Sequence, residues 1–513
     1  MAVTGALAAP QTTPPLASLG EREQRVLSYA AAMGKEFRFD VLALVTEMEE
    51  EALAEVLEGL VHRGVVRELA GGDVYVFVRE EMLGQAYRSI SSSRLRVIHK
   101  KIAEGYEKVY SANPPQEVIA EMGRHFHLGK VADRSLLYNR YAATLARGSF
   151  SPETAKAYLE RVVEDLRGLP GDHRTEQADV LREVGEIHLS MGEAVEADGL
   201  FNQCLSLLPP DEPVLRALVL LSRAETARMT DKLSLTHRWC DEAIALLDKA
   251  GHRRGLAMAH RLLSRAAFKE GSYENGKKEI EAALALLDPT EDTKEVARAY
   301  IDLGNAYTNR MDDEALGLAV AAYRKAIASL AALQDYRELC RAHTNLAVAI
   351  GNSDPATAVA ELREAQAAGR KAGDRRSVGW AQFNSVEFLL EMGEVREAEE
   401  ANAQAAAVLE KIDDPMGVQQ VTLNRAILAQ HRGALAEAEK IFRQALHLAE
   451  DLGYESLVAE MHLRLSVLYL AMGREKDAQG EFALTESLGG EPVLSYARPL
   501  YRSTKERLGR TGR

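Results

Sequence analysis

The stretch that decides the fold is GALAEAEKIFRQA, residues 433–445. After its glycine, Ala438, Phe442 and Ala445 follow at intervals of five, four and three residues. Intervals of four and three place these side chains on one face of a helix. A large side chain between two small ones lets a second helix approach closely and interlock. The glycine is expected to end the preceding helix, where the chain needs a left-handed residue.

The same pattern recurs along the chain at steps of 39 to 43 residues. Its small residues are Cys204, Ala243, Ala283, Ala326, Ala365, Ala405, Ala445 and Thr485. A fixed period of this size is typical of a solenoid, in which each unit packs only against its neighbours. The pattern resembles the tetratricopeptide repeat over roughly residues 135–490, about nine units, with a longer period than the usual one of about 34 residues. We therefore expect an all-α fold, a right-handed α-solenoid of tetratricopeptide-like helix pairs with a period of about 40 residues.

Composition and charge narrow the class of protein. The 513 residues carry a formal net charge of −14, which disfavours the phosphate contacts on which nucleic-acid affinity depends. No apolar run is long enough to span a membrane, and the three cysteines form no CxxC motif. We expect a cytoplasmic protein with no membrane association. Cys204 and Cys240 occupy core positions of the repeat and are expected to be packed thiols.

Residues 18–80, which follow a flexible leader at 1–17, have a sequence pattern that differs from that of the repeats. Three helical stretches and a hairpin around Gly71-Gly72-Asp73 predict a winged helix. Its third helix carries five glutamates against Arg63, which favours docking of a protein over reading of DNA. A helical connector follows at 81–134. It contains a candidate basic patch for an acidic partner or nucleic acid, formed by Arg94, Arg96, Lys100 and Lys101.

Several segments support a more specific resemblance. They are LGEREQRVL at 19–27, AAAMGKEF at 30–37, VFVREEML at 76–83 and EMGRHFH at 121–127. They are similar to the winged helix and the helical entry to the repeats in signal-transduction ATPases with numerous domains. The resemblance implies an ATPase module before the winged helix and helical repeats that act as a sensor. The sequence contains no G-x-x-x-x-G-K-[ST] loop, so it resembles the sensor part without the ATPase.

The sequence offers no catalytic chemistry. His125 and His127 are two residues apart, which separates them on a helix, and no catalytic or nucleotide-binding motif appears. We expect no enzyme activity, no cofactor and no metal. The inner surface of the repeats is the default binding surface of a solenoid, and amides there can pair with a peptide backbone. The candidate partner-binding residues are Asn305, Asn309, Asn345, Asn384, Asn424 and Arg464.

The sequence therefore predicts a non-enzymatic regulatory scaffold. The repeats would bind a protein, peptide or small ligand, and the winged helix would dock a protein partner, for which a separately encoded ATPase or kinase is a candidate. The alternative is a transcription regulator whose winged helix binds DNA. A C-terminal capping helix and basic tail are expected at 491–513.

Overall fold

The computed structural model describes residues 18–69, 71–111, 114–148, 151–310, 313–412, 414–494 and 497–511. Helices make up 81% of the structure, and a small three-stranded sheet is present, which confirms the predicted all-α solenoid class. The chain divides into two compact units, residues 1–226 and 227–513. The predicted leader at 1–17 and the last two residues of the basic tail lie outside the described residues.

The first unit begins with three helices and an antiparallel sheet. Their bounds are α1 Glu21–Met33, β1 Glu36–Arg38, α2 Phe39–Thr46, α3 Glu50–His62, β2 Val66–Glu68 and β3 Val74–Phe77. The strand order is β1-β3-β2, with Phe37 opposite Tyr75 and Arg67 opposite Val76. The order of the elements is helix, strand, helix, helix, strand, strand. The predicted hairpin is present, whereas β1 was not predicted, because three residues are too short for an alternating pattern.

Further helices follow in the same unit. They are α4 Glu80–Arg88, α5 Ser92–Val109, α6 Gln116–Leu128, α7 Ala132–Gly148, α8 Pro152–Gly168, α9 Arg174–Ser190 and α10 Ala194–Leu207. Within the stretch expected to be a helical connector, a turn separates α4 from α5. Ser91 caps α5, since its hydroxyl accepts a hydrogen bond from the Arg94 amide.

The remaining helices continue the repeats. They are α11 Pro213–Met229, α12 Leu233–Lys249, α13 Arg253–Lys269, α14 Tyr273–Leu286, α15 Thr293–Arg310, α16 Asp313–Leu333, α17 Tyr336–Ile350, α18 Pro355–Ala372, α19 Arg375–Glu391, α20 Val395–Leu409, α21 Pro415–His431, α22 Leu435–Leu452, α23 Glu455–Ala471, α24 Glu475–Ser487 and α25 Arg498–Thr511. In the second unit, α13/α14, α15/α16, α17/α18, α19/α20, α21/α22 and α23/α24 pack as pairs. We call the two members of a pair its first and second helix.

Large and small side chains interlock within these pairs as the sequence predicts. Phe201 and Phe442 are fully buried, and so are the small residues before and after each of them in the motif. In α15, a β-carbon on Gly304 would lie 2.5 Å from the Tyr323 ring of α16, so the close approach requires glycine. The turn glycines also behave as predicted: Gly433, for example, has a φ of 78°.

Ion pairs join successive first helices in the second unit. A basic residue in the first turn of one first helix contacts the acid that precedes the next one. Lys294 contacts Asp335 at 2.6 Å, and Arg376 contacts Asp414 at 2.8 Å. Arg254 and Asp292 form the same pair one repeat earlier. Asp335 and Asp414 also cap their helices through their side chains, so each acid stabilises both a helix end and a repeat junction.

Within the described residues, one helical stretch is long and apolar enough to cross a membrane by length and composition alone, namely Glu314–Leu333 of α16. Its mean hydropathy is 1.4, and Arg324 and Lys325 lie near its middle. Tyr323, Ala326 and Leu330 from this helix are buried in a core cluster with α15 and α17. These contacts are those of the second helix of a repeat.

Candidate functional site

The candidate partner-binding residues lie on successive first helices of the second unit. Asn345, Asn384, Asn424 and Arg464 follow the N-cap residues of α17, α19, α21 and α23 at the same interval. Asn305 lies one helical turn further along α15. We call these five residues the polar column. Asn309 also lies on α15, but its side chain is outside the described part of the structure.

Two members of the polar column contact each other directly. The Asn345 Nδ2 donates to Asn305 Oδ1 at 2.8 Å, and the Tyr323 hydroxyl donates to the same oxygen at 2.7 Å. Asn305 is exposed and Asn345 half-buried. Within the described residues, Asn305 Nδ2 and Asn345 Oδ1 take part in no hydrogen bond. The pair therefore keeps one donor and one acceptor for another molecule.

The next two asparagines differ in exposure. Asn384 is half-buried and donates to the Trp380 carbonyl of its own helix at 2.9 Å. Asn424 is buried and donates to the Phe383 carbonyl of α19 at 3.1 Å. Asn424 thus links two repeats, and Asn384 keeps an accessible carbonyl oxygen.

Arg464 is held by acids from two helices. Its guanidinium donates to Glu387 on α19 at 2.8 and 3.2 Å and to Glu460 on its own helix at 3.1 Å. Burial alone would lower the pKa of Arg464, but the two carboxylates outweigh it and raise the pKa. Burial, reinforced by Glu387, raises the pKa of Glu391. Arg464 thus links α23 to α19, and the two carboxylates that contact it offset its positive charge.

Two of the four residues of the candidate basic patch contact acidic side chains. Arg94 and Arg96 are exposed and have no ion pair within the described residues. Lys101 contacts Glu47 at 2.6 Å, and Lys100 lies 3.8 Å from Glu104. Two of the four positive charges are therefore offset by acids, which weakens the patch as a surface for phosphates.

The sequence analysis missed a buried histidine pair between α5 and α6. The Nδ1 atoms of His99 and His125 lie 2.8 Å apart, and the Tyr87 hydroxyl lies 3.1 Å from His99 Nε2. Burial lowers the pKa of His99 to about 3 and that of His125 to about 4. The sequence does indicate that His99 is buried, because His99 lies on the same apolar helical face as Ile98 and Ile102.

His127 points elsewhere, as its spacing from His125 predicts. Its Nδ1 lies 2.9 Å from Asp165 Oδ1, and Ser135 donates to the other oxygen of the same carboxylate. Ser135 thus donates its hydrogen bond to the carboxylate of Asp165, and its oxygen accepts a hydrogen bond from Asn139 Nδ2. Within the described residues, no group of three or more histidine, cysteine or acidic side chains has the arrangement of a metal site.

The cysteines are packed thiols. Cys204, Cys240 and Cys340 are all buried, and none of the three forms a disulfide. Burial raises the pKa of Cys204 to about 12 and that of Cys340 to about 11. A thiol with so high a pKa is a poor nucleophile, so these positions serve packing.

No protein-family model matches the sequence, and no curated protein matches it either. Solved structures with similar folds are known. One is a signal-transduction ATPase with numerous domains with a tetratricopeptide repeat sensor, from Pyrococcus horikoshii, at 12% identity and a TM-score of 0.46. That match covers 97% of this chain, which spans 66% of that structure.

Two further solved structures each match about two thirds of this chain. A Rap protein complexed with competence and sporulation factor matches at 18% identity and a TM-score of 0.48, over 66% of this chain and 93% of its own. Aspartyl phosphate phosphatase F from Bacillus subtilis matches at 13% identity and a TM-score of 0.47, over 69% and 94%. The class of this protein rests on its own helix pairs: it is a tetratricopeptide-like helical-repeat protein.

Proposed function

We propose that this protein is a non-enzymatic, cytoplasmic interaction scaffold that binds an extended segment of a protein partner along the polar column. The observation that carries the proposal is the hydrogen bond between Asn345 of α17 and Asn305 of α15, which joins two neighbouring repeats. It orders both amides while it leaves an unused donor and an unused acceptor. A peptide backbone presents the complementary N–H and C=O groups at every residue.

Asn384 continues this surface on the next first helix. Its carboxamide oxygen has no partner among the described residues, and the half-buried Phe383 and Phe388 lie on the same helix. An extended segment would gain backbone hydrogen bonds from the amides and apolar contact from the aromatic rings. Asn424 and Arg464 would keep the helices in register instead of touching the partner.

The experiment compares co-purification from native lysate by the wild-type chain and by the double variant N345A/N384A. A matched control is N275A, because Asn275 is an exposed amide on α14, a second helix. We expect the double variant to lose a partner that the wild type and N275A retain. Equal recovery by all three chains would contradict the proposal.

The three helices and sheet at 18–80 would dock a second protein, for which a separately encoded ATPase or kinase is a candidate. Glu51, Glu55 and Glu58 are exposed along α3, the helix that winged helices commonly present to DNA. Three carboxylates would repel phosphates there, so a basic protein surface is the better complement. A gel shift with genomic fragments tests the DNA alternative, and tight binding with a steep salt dependence would favour it.

A further inference from the structure

A cavity of about 500 Å³ opens in the first unit between residues of α7, α8, α9 and α11. Small-molecule sites in proteins are typically clefts of about 300–1,000 Å³, so this volume is in the range of a ligand site. The lining residues are Leu136, Arg140, Leu166, Thr175, Glu176, Asp179 and Leu215. None of them belongs to the polar column or to the basic patch.

The charged side chains of the cavity differ in whether they have a partner of opposite charge. Asp179 is paired with Arg182 at 2.8 Å, and Glu176 lies 3.4 Å from a nitrogen of His173. The half-buried Arg140 guanidinium has no ion pair or hydrogen bond within the described residues. A partly buried guanidinium gains most from a carboxylate, which can accept two parallel hydrogen bonds.

The apolar part of the lining is formed by three leucines. Leu166 is 2% exposed and belongs to the core, while Leu136 and Leu215 pack against that core and are half-buried. A ligand that fills the cavity would remove the side chains of Leu136 and Leu215 from water. The Thr175 hydroxyl has no partner among the described residues and adds a polar group that is able to fix orientation.

We propose that this cavity binds a short peptide with free termini and apolar side chains. Its carboxylate would pair with Arg140, its ammonium group would pair with Glu176, and its side chains would cover the leucines. An ordinary apolar ligand would leave the Arg140 charge without a partner, and a simple anion would leave the leucines uncovered. The site is independent of the polar column, and failure of either proposal leaves the other unaffected.

The probe is trileucine, titrated into the full chain by calorimetry. We expect binding with a Kd below about 1 mM and a loss of at least about tenfold when the C-terminus is amidated. The variant R140M should bind the acid and the amide equally weakly. The control R147M changes an arginine of the same helix that pairs with Glu183 outside the cavity, and should bind as wild type does.

Three results would overturn the proposal. They are no binding of trileucine at about 5 mM, equal binding of the acid and the amide by the wild type, or wild-type affinity in R140M. The comparison of acid with amide uses only the wild-type chain, so it decides the matter even if R140M does not fold. Circular dichroism of each variant establishes that the fold is kept.

Discussion

Arg464 of α23 and Glu387 of α19 form a bidentate ion pair, with N–O distances of 2.8 and 3.2 Å. The pair links the first helices of two repeats that are separated in the chain by the repeat α21/α22. Their side chains are 14% and 44% exposed. The substitution R464A would leave Glu387 and Glu460 without their shared cation in a partly buried place. We expect a loss of about 2–3 kcal/mol in stability, below the cost of breaking a fully buried pair because Glu387 is accessible to water.

Thermal unfolding of R464A and of R425A measures this effect. Arg425 pairs with Glu410 at 2.6 Å, but both side chains are about half exposed, so R425A should cost less than about 1 kcal/mol. Equal destabilisation by the two substitutions would show that the pair across two repeats has no special role.

Asp414 joins a helix end to a repeat junction. Its carboxylate accepts hydrogen bonds from Arg376, Trp380 and the Gly417 amide. The substitution D414A removes all three, and we expect a loss of about 2–3 kcal/mol. D354A is the control, because Asp354 caps α18 and has no ion pair in the part of the chain that the structure describes, so its effect should be smaller. A larger loss in D354A than in D414A, measured by melting temperature, would contradict this account of the junctions.

Gly304 and Gly317 allow a matched test of helix approach. A β-carbon on Gly304 would lie 2.5 Å from the Tyr323 ring, whereas one on Gly317 of α16 would have nothing within 4 Å. G304A should therefore cost about 1–3 kcal/mol through overpacking. G317A should be neutral or stabilise by up to about 1 kcal/mol, because alanine favours the helix. Similar melting temperatures for both variants would mean that α15 and α16 are less tightly packed than the structure indicates.

The histidine pair predicts a dependence of stability on pH. The folded pKa values of about 3 for His99 and about 4 for His125 lie below the unfolded value of about 6.5. Between pH 6.5 and 4 the unfolded chain therefore binds more protons, so stability falls as the pH falls. The slope is up to about 1.4 kcal/mol per pH unit for each proton taken up. Both rings face Arg124 and Glu121, and burial would raise the pKa of Glu121, but hydrogen bonds from His125 and Arg124 lower it to about 2.

The variant H99Q isolates this effect from the other titrating groups. Its melting temperature should fall less between pH 7 and pH 5 than that of the wild type. H447Q is the control, since His447 is 74% exposed on α22, and its pH profile should match the wild type. An H99Q profile parallel to the wild type would contradict the assigned role of the pair.

The sequence was most informative where interactions are local. The repeat motif predicted the helices, the turn at Gly433 and the burial of Phe442, because these depend on residues within one helix pair. The third helix of the N-terminal part was predicted for the same reason. The strand β1 was missed because it forms only through pairing with β3, some 40 residues later.

The candidate site depends on contacts that sequence spacing does not determine. The positions of Asn345, Asn384 and Asn424 on first helices follow from the period. Their exposure does not, because Asn424 is covered by its own link to Phe383, and Arg464 is held by an acid 77 residues away. The cavity around Arg140 was not anticipated, since its lining comes from four helices and shares no motif.

The most direct test of the central claim is photo-crosslinking in native cells, with a photoreactive amino acid in place of Asn384 or of the control Asn275. The account predicts that a protein is crosslinked from position 384 but not from position 275, and that N345A removes this crosslink. Crosslinks of equal yield from both positions, or none from position 384, would contradict the proposal that the polar column binds a partner.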